Sequence, residues 1–155
     1  MNYKPMKEIE YLVVHCAATP STMDIGVKEI TKWHIERGFF TIGYHFVIRR
    51  DGDVESGRPM DRPGAHARGY NERSIGICLV GGSKKDGKTV ENNFTPSQFH
   101  ALAILLRQLT ELYPNAEVLG HRNLPGVNKG CPSFDVRKFW KPYLENKDDT
   151  DSCLP

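Results

Sequence analysis

Apolar and polar stretches alternate along the chain in a way that separates buried strands from amphipathic helices and long polar loops. Residues 9–16, IEYLVVHC, form a nearly unbroken apolar run. Such a run predicts a central strand covered on both faces and polar only towards its end, where His15 sits. Residues 74–80, SIGICLV, repeat the pattern, and Gly81-Gly82 closes it. Residues 43–50, GYHFVIRR, predict another strand, Asp51-Gly52 is a hairpin signal, and Val54 to Gly57 return as its partner. Alternation there puts Tyr44, Phe46 and Ile48 on one face and His45, Val47 and Arg49 on the other. Glu117 to Gly120 predict a short strand that delivers His121.

Three segments carry helical spacing. In residues 26–37, Val27, Ile30, Trp33, His34 and Arg37 share one broad face, Asp24 or Gly26 can cap the start, and Gly38 is placed to end the helix. His34 is expected to serve packing or the surface. Thr95-Pro96-Ser97-Gln98 is a capping box with proline at the first helical position. Phe99, Leu102, Ala103, Leu106, Leu109 and Tyr113 follow at helical spacing until Pro114 stops the run. That stripe is core, and His100 points away from it into solvent. The last helix spans residues 135–144, capped by Asp135 or Ser133, with Phe139, Trp140 and Tyr143 turned inward. Residues 58–73 are too rich in Gly, Pro and Arg for regular structure, and a loop of that length inside a compact domain is a candidate for function. Residues 83–93 predict an exposed, solvated loop.

The pattern is that of an α/β protein with one domain over residues 1–144 and a polar, disordered tail over 145–155. No repeat, linker or second domain interrupts it. At 155 residues, 39% apolar and 26% charged, the chain has the composition of a globular domain with a real core. The formal charge of +2 does not select for an anionic polymer. No run of about 18 apolar residues is present, so no membrane insertion is expected. The first residues, MNYKPMKEIEYLVV, lack the apolar block of a secretory signal, which predicts synthesis in a reducing cytoplasm. Four cysteines are therefore expected as thiols. Cys16 and Cys78 lie in apolar runs as small core residues, and Cys153 lies in the polar tail.

The chemistry gathers at residues 120–135, GHRNLPGVNKGCPSFD. His121 opens the stretch and Cys131 closes it. Between them Pro125, Gly126, Asn128 and Gly130 specify a shaped loop. An imidazole and a thiolate held by one loop make half of a zinc site, and a third ligand must come from elsewhere. His15 lies at a strand end of the kind that faces a cleft, where a ligand and a core histidine bonded to backbone are both open readings. Lys129 stands two positions before Cys131, so locally extended backbone would bring its ammonium to the sulfur's side. A metal beside a fixed cation suits chemistry in which negative charge grows on an oxygen.

VVHCAAT, GYHFVIRRDG, GAHARGYNERSIGICLVGG and the GH…KGCPSFD stretch together resemble the zinc-dependent N-acetylmuramoyl-L-alanine amidases of the type 2 class, which share a fold with peptidoglycan recognition proteins. Small lysozyme-like amidases of tailed bacteriophages are the nearest in form. The resemblance runs from about residue 9 to 144 in one order. It implies a peptidoglycan-recognition-protein-like fold, with a central mixed β-sheet of about five strands flanked by three main helices. It also implies one catalytic Zn2+ held by His15, His121 and Cys131, a catalytic Tyr44, an oxyanion-stabilising Lys129, and a substrate groove lined by His66 and Asn71. Phe39 and Thr41 stand where the family often has Trp and Asp, and the loop from His121 to Cys131 is slightly longer. Neither departure removes a ligand.

The implied reaction is hydrolysis of the amide bond between N-acetylmuramic acid and L-alanine in bacterial peptidoglycan, by a monomeric phage endolysin released through a holin. No nucleic acid is expected as a partner. Three other readings stay open at this point. Recognition proteins of this fold bind peptidoglycan without cutting it, typically with the cysteine ligand replaced. Some bacterial relatives recycle wall fragments in the cytoplasm. Some phage relatives also bind and inhibit the phage RNA polymerase.

Overall fold

The structure, a computed structural model, describes residues 5–127 and 130–145. Its strands are β1 (Tyr11–Cys16), β2 (Phe46–Ile48), β3 (Val54–Ser56), β4 (Ser74–Leu79) and β5 (Glu117–Gly120). They form one sheet in the order β3-β2-β4-β1-β5. β1 pairs in parallel with β4 and β5, β4 pairs in parallel with β2, and only the β2–β3 hairpin is antiparallel. The mixed five-stranded sheet therefore matches the expected fold class. β1 is central and every one of its residues from Leu12 to Cys16 is buried, as its apolar run requires. The hairpin turns through Gly52 at φ +90°, a conformation that side-chain-bearing residues avoid.

Helices α1 (Val27–Glu36), α2 (Pro96–Leu112) and α3 (Val136–Glu145) complete the fold. α2 starts as its sequence demands: Thr95 Oγ1 accepts from the Gln98 N–H at 3.1 Å, and Gln98 Oε1 accepts from the Thr95 N–H at 3.0 Å. Leu102, Leu105, Leu106 and Leu109 of α2, with Val136 and Trp140 of α3, cover the sheet face formed by Leu12, Val14, Ile48, Ile75, Ile77 and Leu79. Each such leucine contributes about 1.5–3 kcal/mol through removal from water. The opposite face is covered in two patches. α1 supplies Ile30 to a cluster with Val47, Cys78 and Val80. Residues Ala67 and Leu124, both from loops, close over Val13 and Leu119. His15 shares this second face with Val13 by alternation along β1.

One expectation is corrected and two are sharpened. The second strand is shorter than residues 43–50, because regular pairing begins only at Phe46. Tyr44 therefore escapes the alternation and packs with Val47 on the α1 side, while Phe46 and Ile48 pack on the α2 side. Of its two expected roles His34 takes packing: it is buried, and its Nδ1 also accepts from the Gly43 N–H at 2.8 Å. The 83–93 loop is exposed from Lys84 to Asn92, as expected, and is anchored at its two ends. Ser83 is buried, and Asn93 ties the ends together by accepting from the Gly82 N–H and donating to the Ser83 carbonyl, both at 2.8 Å. His100 is exposed, as its position on α2 predicts. Cys16, Cys78 and Cys131 are all thiols. Lys129, Cys153 and all but the first residue of the tail lie outside the described residues.

Candidate active site

Parallel pairing puts the C-terminal ends of β1, β4 and β5 along one edge of the sheet, where α/β folds form their clefts. Val14 pairs with Gly120, so His15 and His121 emerge at the same level on neighbouring strands. Their ring centroids are 4.5 Å apart. Asn123 shapes the turn by accepting from the Gly120 N–H through its Oδ1 at 2.9 Å.

Cys131 reaches the same edge because its loop is pinned at several points. The Arg122 N–H donates to the Cys131 carbonyl at 2.9 Å, which folds the loop back onto the residue after His121. The Cys16 N–H donates to Cys131 Sγ at 3.0 Å. Ser133 Oγ donates to the Gly82 carbonyl at 2.9 Å. As a result one donor atom each from His15, His121 and Cys131 lies within 4.8 Å of the others. Ligands around a tetrahedral zinc stand roughly 3.5 Å apart, so the cluster has to close little or not at all to hold one. Two imidazoles and a thiolate are a donor set suited to such a metal. His15 is 2% exposed, whereas His121 and Cys131 are half-buried, which leaves one side of the cluster towards solvent.

Electrostatics of the protein alone set the starting point. Cys131 and Cys16 titrate as a pair. Contact with the Cys16 thiol, then burial, pushes the Cys131 thiol up. A divalent cation held there would reverse that balance and favour the thiolate. Burial pushes the Tyr44 phenol well above its ordinary value, helped by the thiols of Cys78, Cys131 and Cys16. The hydroxyl is therefore protonated at neutral pH. The Tyr44 ring lies 5.1 Å from that of His15 and 5.3 Å from that of His34.

The structure brings Tyr44 and His66 to the expected cluster. His66 Nδ1 meets His15 Nε2 at 2.8 Å. Burial, then the neighbouring His45, His121 and Arg58, hold His66 well below the usual histidine range, so it is neutral. Asn71 faces the loop backbone: its Oδ1 accepts from the N–H groups of His66 and Ala67, each at 2.9 Å. His34, bonded to the residue before Tyr44, and Ser74, whose Oγ lies 3.2 Å from His66 Nε2, were not visible as site residues in the sequence, since the partners of both lie in loops. A cavity of about 620 Å³ between α2, β5 and α3, lined by Arg107, Glu111, Trp140 and Tyr143 among others, is not bordered by any of the candidate ligands.

The family model for N-acetylmuramoyl-L-alanine amidase matches residues 5–134, a span that contains all three converging ligands. The chain belongs to the N-acetylmuramoyl-L-alanine amidase family. This amidase is 46% identical over 141 residues to an endolysin of Klebsiella phage KP32, covering 91% of each chain. It is similar to the solved N-acetylmuramoyl-L-alanine amidase LysC of Clostridium intestinale, with 28% identity, a TM-score of 0.69, and 97% and 95% of the two chains covered. It also shares its fold with bumblebee PGRP-SA, at 23% identity and a TM-score of 0.72 over 93% and 87% of the chains. That last likeness speaks to the amidase's fold alone.

Proposed function

We propose that this amidase acts as a phage endolysin, hydrolysing the amide between the lactyl group of N-acetylmuramic acid and L-alanine in bacterial peptidoglycan. The observation that carries the reading is the convergence of His15, His121 and Cys131 at one sheet edge in a chain of this family. His15, His121 and Cys131 would hold a zinc ion, which would supply Lewis acidity and activate water for attack on the amide.

The remaining work falls to the chain's own side chains. Tyr44, protonated and beside His15, is suited to orient the attacking water or to give a proton to the departing L-alanine nitrogen. Its high proton affinity argues against a resting role as base. Lys129, two positions before Cys131, is assigned the charge growing on the carbonyl oxygen. Asn71 holds the backbone of the loop that carries His66. The enzyme reaches its substrate after release from the cytoplasm, and the holin route and a monomeric state belong to the same proposal. Metal analysis of the purified protein, paired with mass spectrometry of digested peptidoglycan, tests it. The expected result is one zinc per chain and free L-alanine-terminated stem peptides. Release of such peptides by chelator-stripped protein, or no release by the zinc-loaded one, would overturn it.

A further inference from the structure

His66 was expected in a substrate groove, yet both of its ring nitrogens are engaged inside the protein. Nδ1 faces His15 Nε2 at 2.8 Å and Nε2 faces Ser74 Oγ at 3.2 Å. The direction of each bond follows from one fixed group. Ser74 Oγ donates its single proton to the Tyr70 carbonyl at 2.7 Å, because a carbonyl can only accept. Towards His66 the hydroxyl must then act as acceptor, so His66 carries its proton on Nε2. Its Nδ1 is left with a lone pair, and the proton between the two rings belongs to His15 Nε2. His15 is thereby the Nε2–H tautomer, and Nδ1 is its unprotonated nitrogen.

We propose that His66 and Ser74 are positioning residues that lock the His15 tautomer and make Nδ1 the atom His15 presents to the metal. This inference rests on the metal reading above. Metal-bound histidines commonly donate their second ring N–H to a carboxylate, carbonyl or water, which fixes ring and tautomer. Here another histidine does that work, itself fixed by a serine and a backbone carbonyl.

The seat of the His66 ring is built for this role. A Cβ on Gly76 would lie 2.6 Å from His66 Cγ, and one on Gly64 would lie 2.6 Å from His66 Cδ2. Two glycines therefore open the slot in which the ring lies flat against β4. Asn71 Oδ1 fixes the backbone at the same residue, accepting from the His66 N–H. Ring and backbone are thus both held, and only one ring orientation meets His15 and Ser74 together.

The test reads the tautomers directly. In chelator-stripped protein labelled with 15N-histidine, long-range proton–nitrogen correlation should show both His15 and His66 protonated at Nε2. His66→Ala should weaken zinc about 10–100-fold in chelator competition, the loss usual for a second-shell partner. His66→Asn, whose Oδ1 can accept where Nδ1 did, should recover most of that loss. Ser74→Ala should leave His66 as a tautomer mixture. A merely structural role for His66 would lower the melting temperature of both His66 variants alike without separating their zinc affinities. Finding His15 protonated at Nδ1 in the wild-type protein, or equal zinc affinity in wild type and a folded His66→Ala, would overturn the inference. Should His66→Ala not fold, the wild-type tautomers and the His66→Asn affinity decide. If the wild-type protein takes up no zinc, the metal reading falls, and the correlation spectra still judge the relay itself.

Discussion

The backbone N–H of Cys16 donates to the sulfur of Cys131 at 3.0 Å, across 115 positions of sequence. The residue after the first candidate ligand thus holds the third, and β1 aims His15 and orients the thiol at once. An N–H pointed at sulfur also favours the thiolate that a metal requires.

Replacing Cys131 with Ser should therefore remove both bound zinc and amidase turnover. Loss of the anionic, soft ligand predicts a fall in zinc affinity of more than about a hundred-fold, beyond what outer partners contribute. Metal content by mass spectrometry and peptide release from purified cell wall check this together. A Cys131→Ser protein that still carries stoichiometric zinc would show the sulfur to be a bystander.

Tyr44→Phe separates chemistry from assembly. The ring stays to pack with Val47 and Cys78, so folding and zinc content should be unchanged. Loss of a positioned proton donor should lower turnover about 10²–10⁴-fold. Turnover within a few-fold of wild type would mean the phenol only fills space.

The expected outcome for Lys129→Ala is a protein that keeps its zinc and loses about 10²–10³ in turnover, the scale of removing one oxyanion donor. Loss of metal instead would make the lysine a prop for the loop. Chelator competition and peptide release, measured on the same preparation, distinguish these results.

Much of this architecture could be read from the residues, and the reasons are local. β1 and β4 announce themselves because strands buried on both faces need unbroken apolar runs, and α2 because its cap and stripe obey short-range rules. The alternation rule puts Tyr44 on the wrong face because it assumes a regular strand from residue 43, while the regular strand begins at Phe46. The three ligands sit 106 and ten positions apart in sequence, so no spacing rule joins His15 to His121; only the likeness to a family suggested it. The contact of His66 with His15 was invisible for a related reason. It depends on two glycines in different segments opening one slot, which no periodicity encodes.

His34 supplies the last prediction, a pH dependence. Its Nδ1 accepts from the Gly43 N–H, and its ring packs 5.3 Å from Tyr44 and 5.0 Å from Phe39. Burial, then the charges of Arg37 and Arg58, lower its pKa from 6.5 to about 4. Between those two values the unfolded chain holds a proton on this ring that the folded chain refuses. Stability must then fall as pH drops from about 6.5 towards about 4, and this contribution levels off below that. The loss has an upper limit of about 3 kcal/mol. Protonation also puts a hydrogen on the nitrogen that receives the Gly43 N–H, so the strain appears directly beside Tyr44. His34→Asn can accept the same bond through Oδ1 but does not titrate. Urea unfolding of both proteins at pH 7 and pH 4 isolates the effect from that of other groups such as His45, which is also lowered by burial. Wild type should lose more stability than His34→Asn over this interval, and equal losses would place the proton acceptor elsewhere.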